Sequence, residues 1–399
     1  MRPEDFAPHA PGKVIRVGRG QAAYWAFLPD PLPPRLTYTS RLIRLVAQAS
    51  HAVGELAGLG RTLHNPWLLV QPFLRQEAVL SSRIEGTEAD LADVYAYEAG
   101  VRRGLPPDVR EVHNYVRALQ HGLERLETLP VSLRLLREMH AILLEGVRGE
   151  HATPGEFRRT QNWIGPPGCT LNEATYVPPP PDHLMEALDA WEKYLHAQDD
   201  HPPLVRLAFI HYQFEAIHPF LDGNGRIGRL LLILLLVDWG LLPLPLLYLS
   251  AYFERHRDAY YDGLLRVSTE GAWEDWVAFF LQGVVEQAQD ALGRMKRLQD
   301  LRLRWRKLVT HKRASANLLK LVDVLFEKPV LTIPDAAQRL QVTYRSAQRL
   351  IHQLVDSGIL QPYGRTGGGR GKPGQRYAVV DVLAVLDIPE SKRYTSTAE

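Results

Sequence analysis

At 399 residues the chain is longer than one ordinary core, since domains usually run roughly 100 to 200 residues. Its composition, 45% hydrophobic and 23% charged, is that of a soluble globular protein, and a net charge of +2 gives no global pull toward nucleic acid or acidic membranes. Any such affinity must come from a local patch. One cysteine, Cys169, excludes an intramolecular disulfide and a cysteine-built metal cluster. The first residues lack the charged-then-apolar order of a secretory signal. The longest apolar run, 230–237, falls far short of the roughly 20 residues that a membrane span needs. The expected location is the cytoplasm, with no membrane partner.

Residues 1–35 are rich in proline and predict an arm packed on a later surface. In 40–59, Leu42, Leu45, Val46, Ala49, Val53 and Leu56 recur at helical spacing, with Gly58 and Gly60 ending the helix. A second helix is expected after Asn65-Pro66, running to Ser81-Ser82-Arg83-Ile84-Glu85-Gly86-Thr87. Gly86 is a helix stop, which puts Glu85 in the last turn. A carboxylate opposes the helix dipole there, so another group should hold it. Helical spacing continues over 109–126 and 132–144, with Ser132 as N-cap.

Between Gly155 and Pro181 the helical pattern stops, and alternation around 157–164 and 175–177 predicts a small hairpin or ordered loop. Helices resume at 181–196 and 203–217. The latter must end at His218 because Pro219 disfavours helix in the residue before it. Residues 226–239 are apolar nearly all round and predict the central buried helix. Helices at 250–265 and 273–308 follow, and the basic tract 294–313 reads as a connecting helix or linker.

The string His218-Pro219-Phe220-Leu221-Asp222-Gly223-Asn224-Gly225-Arg226-Ile227-Gly228-Arg229 carries more polar chemistry than a core turn needs. Gly223, Asn224 and Gly225 tolerate left-handed backbone angles, so successive N–H groups can converge on an anion, and the following helix adds its N-terminal dipole. Arg226 and Arg229 lie on one helix face, an arrangement that suits a polyanion better than it suits the dipole. Asp222 is a candidate ligand for a divalent ion such as Mg2+. His218 is a candidate general base. The lysine of a P-loop is missing, so that motif is excluded.

This string resembles the signature of the Fic (filamentation induced by cAMP) family, His-Pro-Phe-x-(Asp/Glu)-Gly-Asn-Gly-Arg-x-x-Arg, at every fixed position. The resemblance implies a mainly α protein with a Fic-type helical core and a small β-hairpin flap. It implies transfer of AMP from ATP to a Ser, Thr or Tyr hydroxyl of a target protein, with Mg2+ as cofactor. In that scheme His218 takes the hydroxyl proton and Asp222 holds Mg2+. Gly223, Asn224 and Gly225 cradle the α- and β-phosphates, Arg226 supports the β-phosphate and Arg229 the γ-phosphate. Residues 81–86 resemble the family's inhibitory motif (Ser/Thr)-x-x-x-Glu-(Gly/Asn), which implies that Ser81 and Glu85 restrain Arg229. The segment 155–177 resembles the family's flap, and Tyr252 with Tyr260 and Tyr261 sits where relatives contact the nucleoside.

From 318 to 386 the order of expected helices and strands resembles a C-terminal winged helix-turn-helix. Its third helix carries Arg345, Gln348, Arg349 and His352, and a basic, glycine-rich wing spans 365–372. The expected units are therefore an N-terminal inhibitory region (1–108), a catalytic core (109–290), a linker helix (291–317), a winged-helix unit (318–388) and a tail (389–399). The expected partners are ATP, a target protein, the chain itself as a substrate, DNA at the winged helix, and a second copy in a homodimer. Two other readings stay open: a DNA-binding regulator whose core senses nucleotide, and an enzyme of the same family that removes AMP.

Overall fold

A computed structural model describes residues 1–20, 23–62, 67–98, 105–147, 151–310, 315–365 and 375–386. The N-terminal arm holds an antiparallel hairpin of β1 (Gly12–Val17) and β2 (Tyr24–Pro29), paired from Gly12 with Pro29 to Val17 with Tyr24. The prolines that suggested an irregular arm stop at Pro11 and resume at Pro29, so they bracket the hairpin and leave its ladder intact. Buried Phe27 anchors it, stacked on Phe6 at 5.1 Å, with its N–H donating to the Val177 carbonyl at 2.9 Å.

Helices α1 (Ser40–Thr62) and α2 (Trp67–Ile84) follow the expected periodicity. Helix α2 ends in a Schellman turn: Gly86 adopts φ +92°, its N–H donates to the Arg83 carbonyl at 2.9 Å, and the Thr87 N–H donates to the Ser82 carbonyl at 3.2 Å. Glu85 therefore stands one residue beyond the helix, where the sequence predicts the last turn. A short helix α3 (Leu91–Glu98) was not expected; its eight residues are too few for a clear period. Helices α4 (Val109–Arg125) and α5 (Leu133–Leu143) pair, and the Ser132 hydroxyl accepts the Leu135 N–H at 3.4 Å as the expected N-cap.

Beyond the irregular segment come α6 (Pro181–His196), α7 (Pro203–Ile217) and α8 (Asn224–Asp238). Helix α7 and most of α8 are buried on every side, which is why neither shows a polar face in sequence. They pack on each other at the centre, with α4 and α5 on one side. The stretch expected as one helix from 250 splits into α9 (Ser250–Arg255) and α10 (Arg257–Glu270) at His256, whose φ −114° and ψ 39° leave the helical region. No Gly or Pro marks that break. Helix α11 (Trp273–Thr310) is continuous for 38 residues, about 57 Å at 1.5 Å per residue, and takes in residues 291–310 of the stretch expected as a linker helix (291–317).

The last unit comprises α12 (Ala316–Glu327), β3 (Val330–Thr332), α13 (Ile333–Leu340), α14 (Tyr344–Asp356), β4 (Gln361–Arg365), β5 (Gln375–Ala378) and α15 (Val380–Leu386). Its three strands form an antiparallel sheet in the order β3-β5-β4. Thr332 and Asp335 cap α13 reciprocally, with Pro334 in the first turn. Residues 366–374, with them most of the expected wing (365–372), and the expected tail (389–399) lie outside the described residues. One apolar cluster joins this unit to the rest, extending from Phe27 through α7 and α8 to Leu386. Among the described residues, no helix is long and apolar enough to cross a membrane.

Candidate active site

The turn between α7 and α8 is built to bend. His218 closes α7 in the left-handed region, φ 50°, and Gly223 opens α8 at φ 79°, leaving Pro219 to Asp222 as a tight loop between two buried helices. Asn224 clamps that loop: its side-chain Oδ1 accepts the Phe220 N–H and its Nδ2 donates to the Phe220 carbonyl, both at 2.8 Å. The amide thus closes the turn through Oδ1 and one of its two Nδ2 donors. Asp222 Oδ1 accepts the Gly223 N–H at 2.6 Å and lies 3.3 Å from Arg226 Nη2.

Residues that the sequence did not single out as functional hold the loop from outside. Arg158 is buried with no carboxylate paired to it among the described residues; it donates to the carbonyls of His218 (2.9 Å), Ile217 (3.3 Å) and Pro179. Burial pushes its guanidinium down to about 10. Asn162 Nδ2 donates to the Phe220 carbonyl at 2.7 Å and to the His218 carbonyl at 3.2 Å. His140 stacks on Phe220 at 3.8 Å, sits 3.0 Å from the Asp222 carbonyl through Nε2, and accepts the Gly155 N–H at Nδ1. These contacts reach across some 60 to 80 residues, so no local pattern could reveal them.

His218 lies 3.2 Å from the Glu215 carbonyl through Nδ1, which assigns the proton to Nδ1 and leaves Nε2 as the acceptor. Burial, reinforced by the Arg158 charge and opposed by the carbonyl contact, lowers its pKa to about 4. The imidazole is neutral at pH 7, the form that a general base requires.

The two arginines are already occupied. Arg226 meets Glu111 of α4 at 3.2 Å and Asp222 at 3.3 Å. Arg229 donates from Nε to the Ser81 hydroxyl at 2.8 Å, and from Nη2 to the Ser81 carbonyl at 2.9 Å and to Glu85 Oε1 at 2.7 Å. Arg229 is buried, whereas the Glu85 side chain keeps 34% of its exposure. Burial alone would raise the Glu85 carboxyl, yet the Arg229 guanidinium holds it below its ordinary value. Gly225 makes room for this pair, since a Cβ there would stand 2.4 Å from Glu85 Oε1 and 2.9 Å from Arg229 Nη1. The carboxylate that looked misplaced at a helix end is held by a guanidinium 144 residues away.

His218, Gly225, Arg229 and Glu85 share one cavity of about 900 Å³ with Glu215, Tyr260 and Tyr261. That volume suits a nucleotide. Its rim includes Trp163 and Ile164, and Ile164 makes an antiparallel bridge with Tyr176, closing the segment expected as a hairpin. Tyr252 is elsewhere: its ring packs on Phe279 and against the backbone of Gly283, and it does not line the cavity. Among the described residues no cluster of three or more His, Cys, Asp or Glu could cage a metal ion. The half-exposed Asp222 at the anion-binding turn instead suits Mg2+, which commonly takes one carboxylate with phosphates and water.

A glycine turn at the N-terminus of a buried helix, beside a cavity with a neutral histidine, is an arrangement that suits a phosphorylated ligand in a mainly helical protein. The comparisons narrow that class. Residues 43–124 match the Fic/DOC family N-terminal model and residues 130–236 the Fic/DOC family model, so the chain carries a Fic N-terminal domain and a Fic domain. Curated relatives called protein adenylyltransferase Fic are 34% identical over 37% of this chain in Culex quinquefasciatus and 31% identical over 39% in Drosophila grimshawi. The matches cover 27% and 29% of those relatives, so the chain spans less than a third of their length. A Fic family protein from Desulfovibrio desulfuricans G20 has a similar fold, with a TM-score of 0.56 at 24% identity over 87% of this chain and 98% of its own.

Proposed function

We propose that the chain is a protein adenylyltransferase restrained by its own Glu85. ATP occupies the cavity, with its phosphates on the N–H groups of Asn224 and Gly225, on Arg226 and Arg229, and on the Gly223 N–H once Asp222 Oδ1 gives it up. A Ser, Thr or Tyr hydroxyl of a target attacks the α-phosphorus. His218 Nε2 accepts the hydroxyl proton, a bond forms from that oxygen to phosphorus, and the bond to the β-phosphate oxygen breaks with pyrophosphate leaving. Asp222 would hold Mg2+, which offsets phosphate charge when bound. The loop's outer contacts from Arg158, Asn162 and His140 orient the base, and the bridged segment 164–176 offers backbone for a target strand.

The Arg229 to Glu85 contact is the observation that carries the restrained reading. While Nη2 serves Glu85 the Arg229 charge is already paired and only Nη1 is left for a γ-phosphate, and the Glu85 carboxylate beside bound phosphates is repulsive. Loss of one charge-assisted hydrogen bond, about 1.5 to 3 kcal/mol, corresponds to roughly 10- to 100-fold. Glu85→Gly should therefore raise labelling by α-phosphate-radiolabelled ATP by at least about tenfold, and Glu85→Gly with His218→Ala should abolish it. An unlabelled Glu85→Gly enzyme, tested on itself and on cell lysate with Mg2+, would remove the transferase reading. Intact mass of the product separates AMP addition from AMP removal or from transfer of another group.

The C-terminal unit supports a second reading. The order α12, β3, α13, α14, β4, β5 suits a winged helix-turn-helix, and α14 exposes Arg345, Arg349 and His352 along one side. DNA recognition by this unit, with the core as a nucleotide sensor, is tested by gel shift. Sequence-selective binding, together with full biological activity of His218→Ala, would favour it over the enzyme.

A further inference from the structure

Helix α2 has two faces with different employers. One turns Glu77, Ser81 and, past its end, Glu85 toward the catalytic core, where α2 packs on α4, α8 and α9. These positions are four apart and so lie in line. The other face packs on α12 and α15 of the C-terminal unit. Helix α2 thus joins the Arg229 contact directly to that unit.

The join is polar and largely buried, with Arg294 buried and Gln76 half-buried. Arg294 of α11 donates from Nη1 to Gln76 Oε1 at 2.9 Å and to the Leu386 carbonyl, at the end of α15, at 2.7 Å. Gln76 Nε2 donates to the same carbonyl, and Asp290 holds Arg294 Nε at 2.7 Å. Three elements distant in sequence thus meet at one node on α2. A neighbouring contact reinforces it: Arg75 pairs with Glu98 at 2.9 Å and lies over the Tyr95 ring, which packs on Val330 and Ala378 of the C-terminal sheet.

Gln76 and Glu85 are nine residues apart, about 14 Å along a helix. Between them the helix is uninterrupted, whereas Pro72, one turn before Gln76, cannot donate to the Leu68 carbonyl and weakens the ladder there. The segment 73–84 is therefore a stiff arm with its weak point on the far side of the node. A shift of the C-terminal unit acts on the same rigid arm whose tip holds Arg229.

We propose that Arg294 is a positioning residue: through Gln76 it clamps α2 to the C-terminal unit and thereby keeps Glu85 on Arg229, so that displacement of that unit releases the site. This rests on the reading of Glu85 as a restraint. It assigns the C-terminal unit a regulatory input to the enzyme, in addition to any ligand of its own.

The test uses the full chain carrying Arg294→Ala or, as a milder change that keeps the Arg294 to Asp290 pair, Gln76→Ala. Backbone amides of Glu85, Gly86 and Thr87 should exchange hydrogen faster in both variants. Self-labelling with Glu85 present should rise about fivefold or more, the lower range of allosteric coupling. In a Glu85→Gly background the same changes should add nothing, because the restraint they loosen is already gone. Unchanged exchange at 85–87 in folded variants, or an equal gain with and without Glu85, overturns the proposal. If Glu85→Gly is itself silent, the transferase reading fails, and exchange at 85–87 still decides whether the clamp exists.

Discussion

Arg229 shows how a side chain's role follows from competition for its donors. Its guanidinium is buried, and three of its contacts go to two residues at the C-terminal end of α2. Ser81 uses both its hydroxyl and its carbonyl, so Ser81→Ala leaves Nε without its partner and should weaken the restraint less than loss of Glu85 does. We expect labelling to rise by roughly tenfold, the lower end of the about 1.5 to 3 kcal/mol of a hydrogen bond from a charged donor. Tyr252 and Tyr261 give a sharper contrast. The first lies outside the cavity and the second lines it, so Tyr261→Ala should weaken ATP binding to the Glu85→Gly enzyme while Tyr252→Phe leaves it unchanged, as read by calorimetric titration. An equal effect of both would place the base elsewhere than the wall formed by α10.

At the scale of elements, the loop between α7 and α8 works because a separate segment grips it. Arg158 supplies donors to carbonyls of His218 and Ile217 that the end of α7 leaves free. Arg158→Met keeps the apolar stem and removes those donors. Stranding several buried carbonyls should cost about 2 to 4 kcal/mol, taking 1 to 3 for each unsatisfied group and allowing for relaxation. Urea denaturation would read the loss, and labelling by the Glu85→Gly enzyme should fall as well, since the His218 carbonyl would keep only its 3.2 Å contact from Asn162. A second packing test lies at α9 and α11. A Cβ on Gly283 would stand 2.6 Å from the buried Tyr252 ring, so Gly283→Ala should destabilise by roughly 1 to 3 kcal/mol through overpacking.

Across the whole molecule, buried titratable groups set how stability depends on pH. Burial first lowers His140 to about 4, His211 to about 3 and His218 to about 4, from an ordinary 6.5. Burial likewise raises Glu77 to about 7 and Glu215 to about 8, from 4.5. As pH falls below 6.5 the unfolded chain takes up protons on three histidines that the folded protein keeps neutral, so they favour unfolding. As pH rises above 4.5 the unfolded chain releases protons from two carboxyls that the fold retains up to about 7 and about 8, which also favours unfolding. Between 4.5 and 6.5 the three histidines outweigh the two carboxyls, and above 6.5 only the carboxyls act. Melting temperature should therefore peak near pH 6.5, and Glu215→Gln should flatten the fall on the alkaline side. A monotonic profile from pH 5 to 8.5 would contradict this balance.

The sequence by itself determined the chemistry of the turn, because His218 to Arg229 is contiguous and its residue types carry their meaning locally. It also determined the long helices, whose apolar periods span several turns, and marked Glu85 as a carboxylate needing a partner. It did not reveal the β1–β2 hairpin, whose flanking prolines masked it, or the break at His256, which no Gly or Pro announces. Tertiary structure alone decided what meets what. That Glu85 reaches Arg229, that Glu111 takes Arg226, that Arg158 and Asn162 grip the loop, and that Tyr261 rather than Tyr252 faces the cavity all follow from packing helices far apart in the chain. The physical reason is range: backbone preference and periodicity act over a few residues, whereas a buried charge takes whichever partner the closed core brings within hydrogen-bond distance.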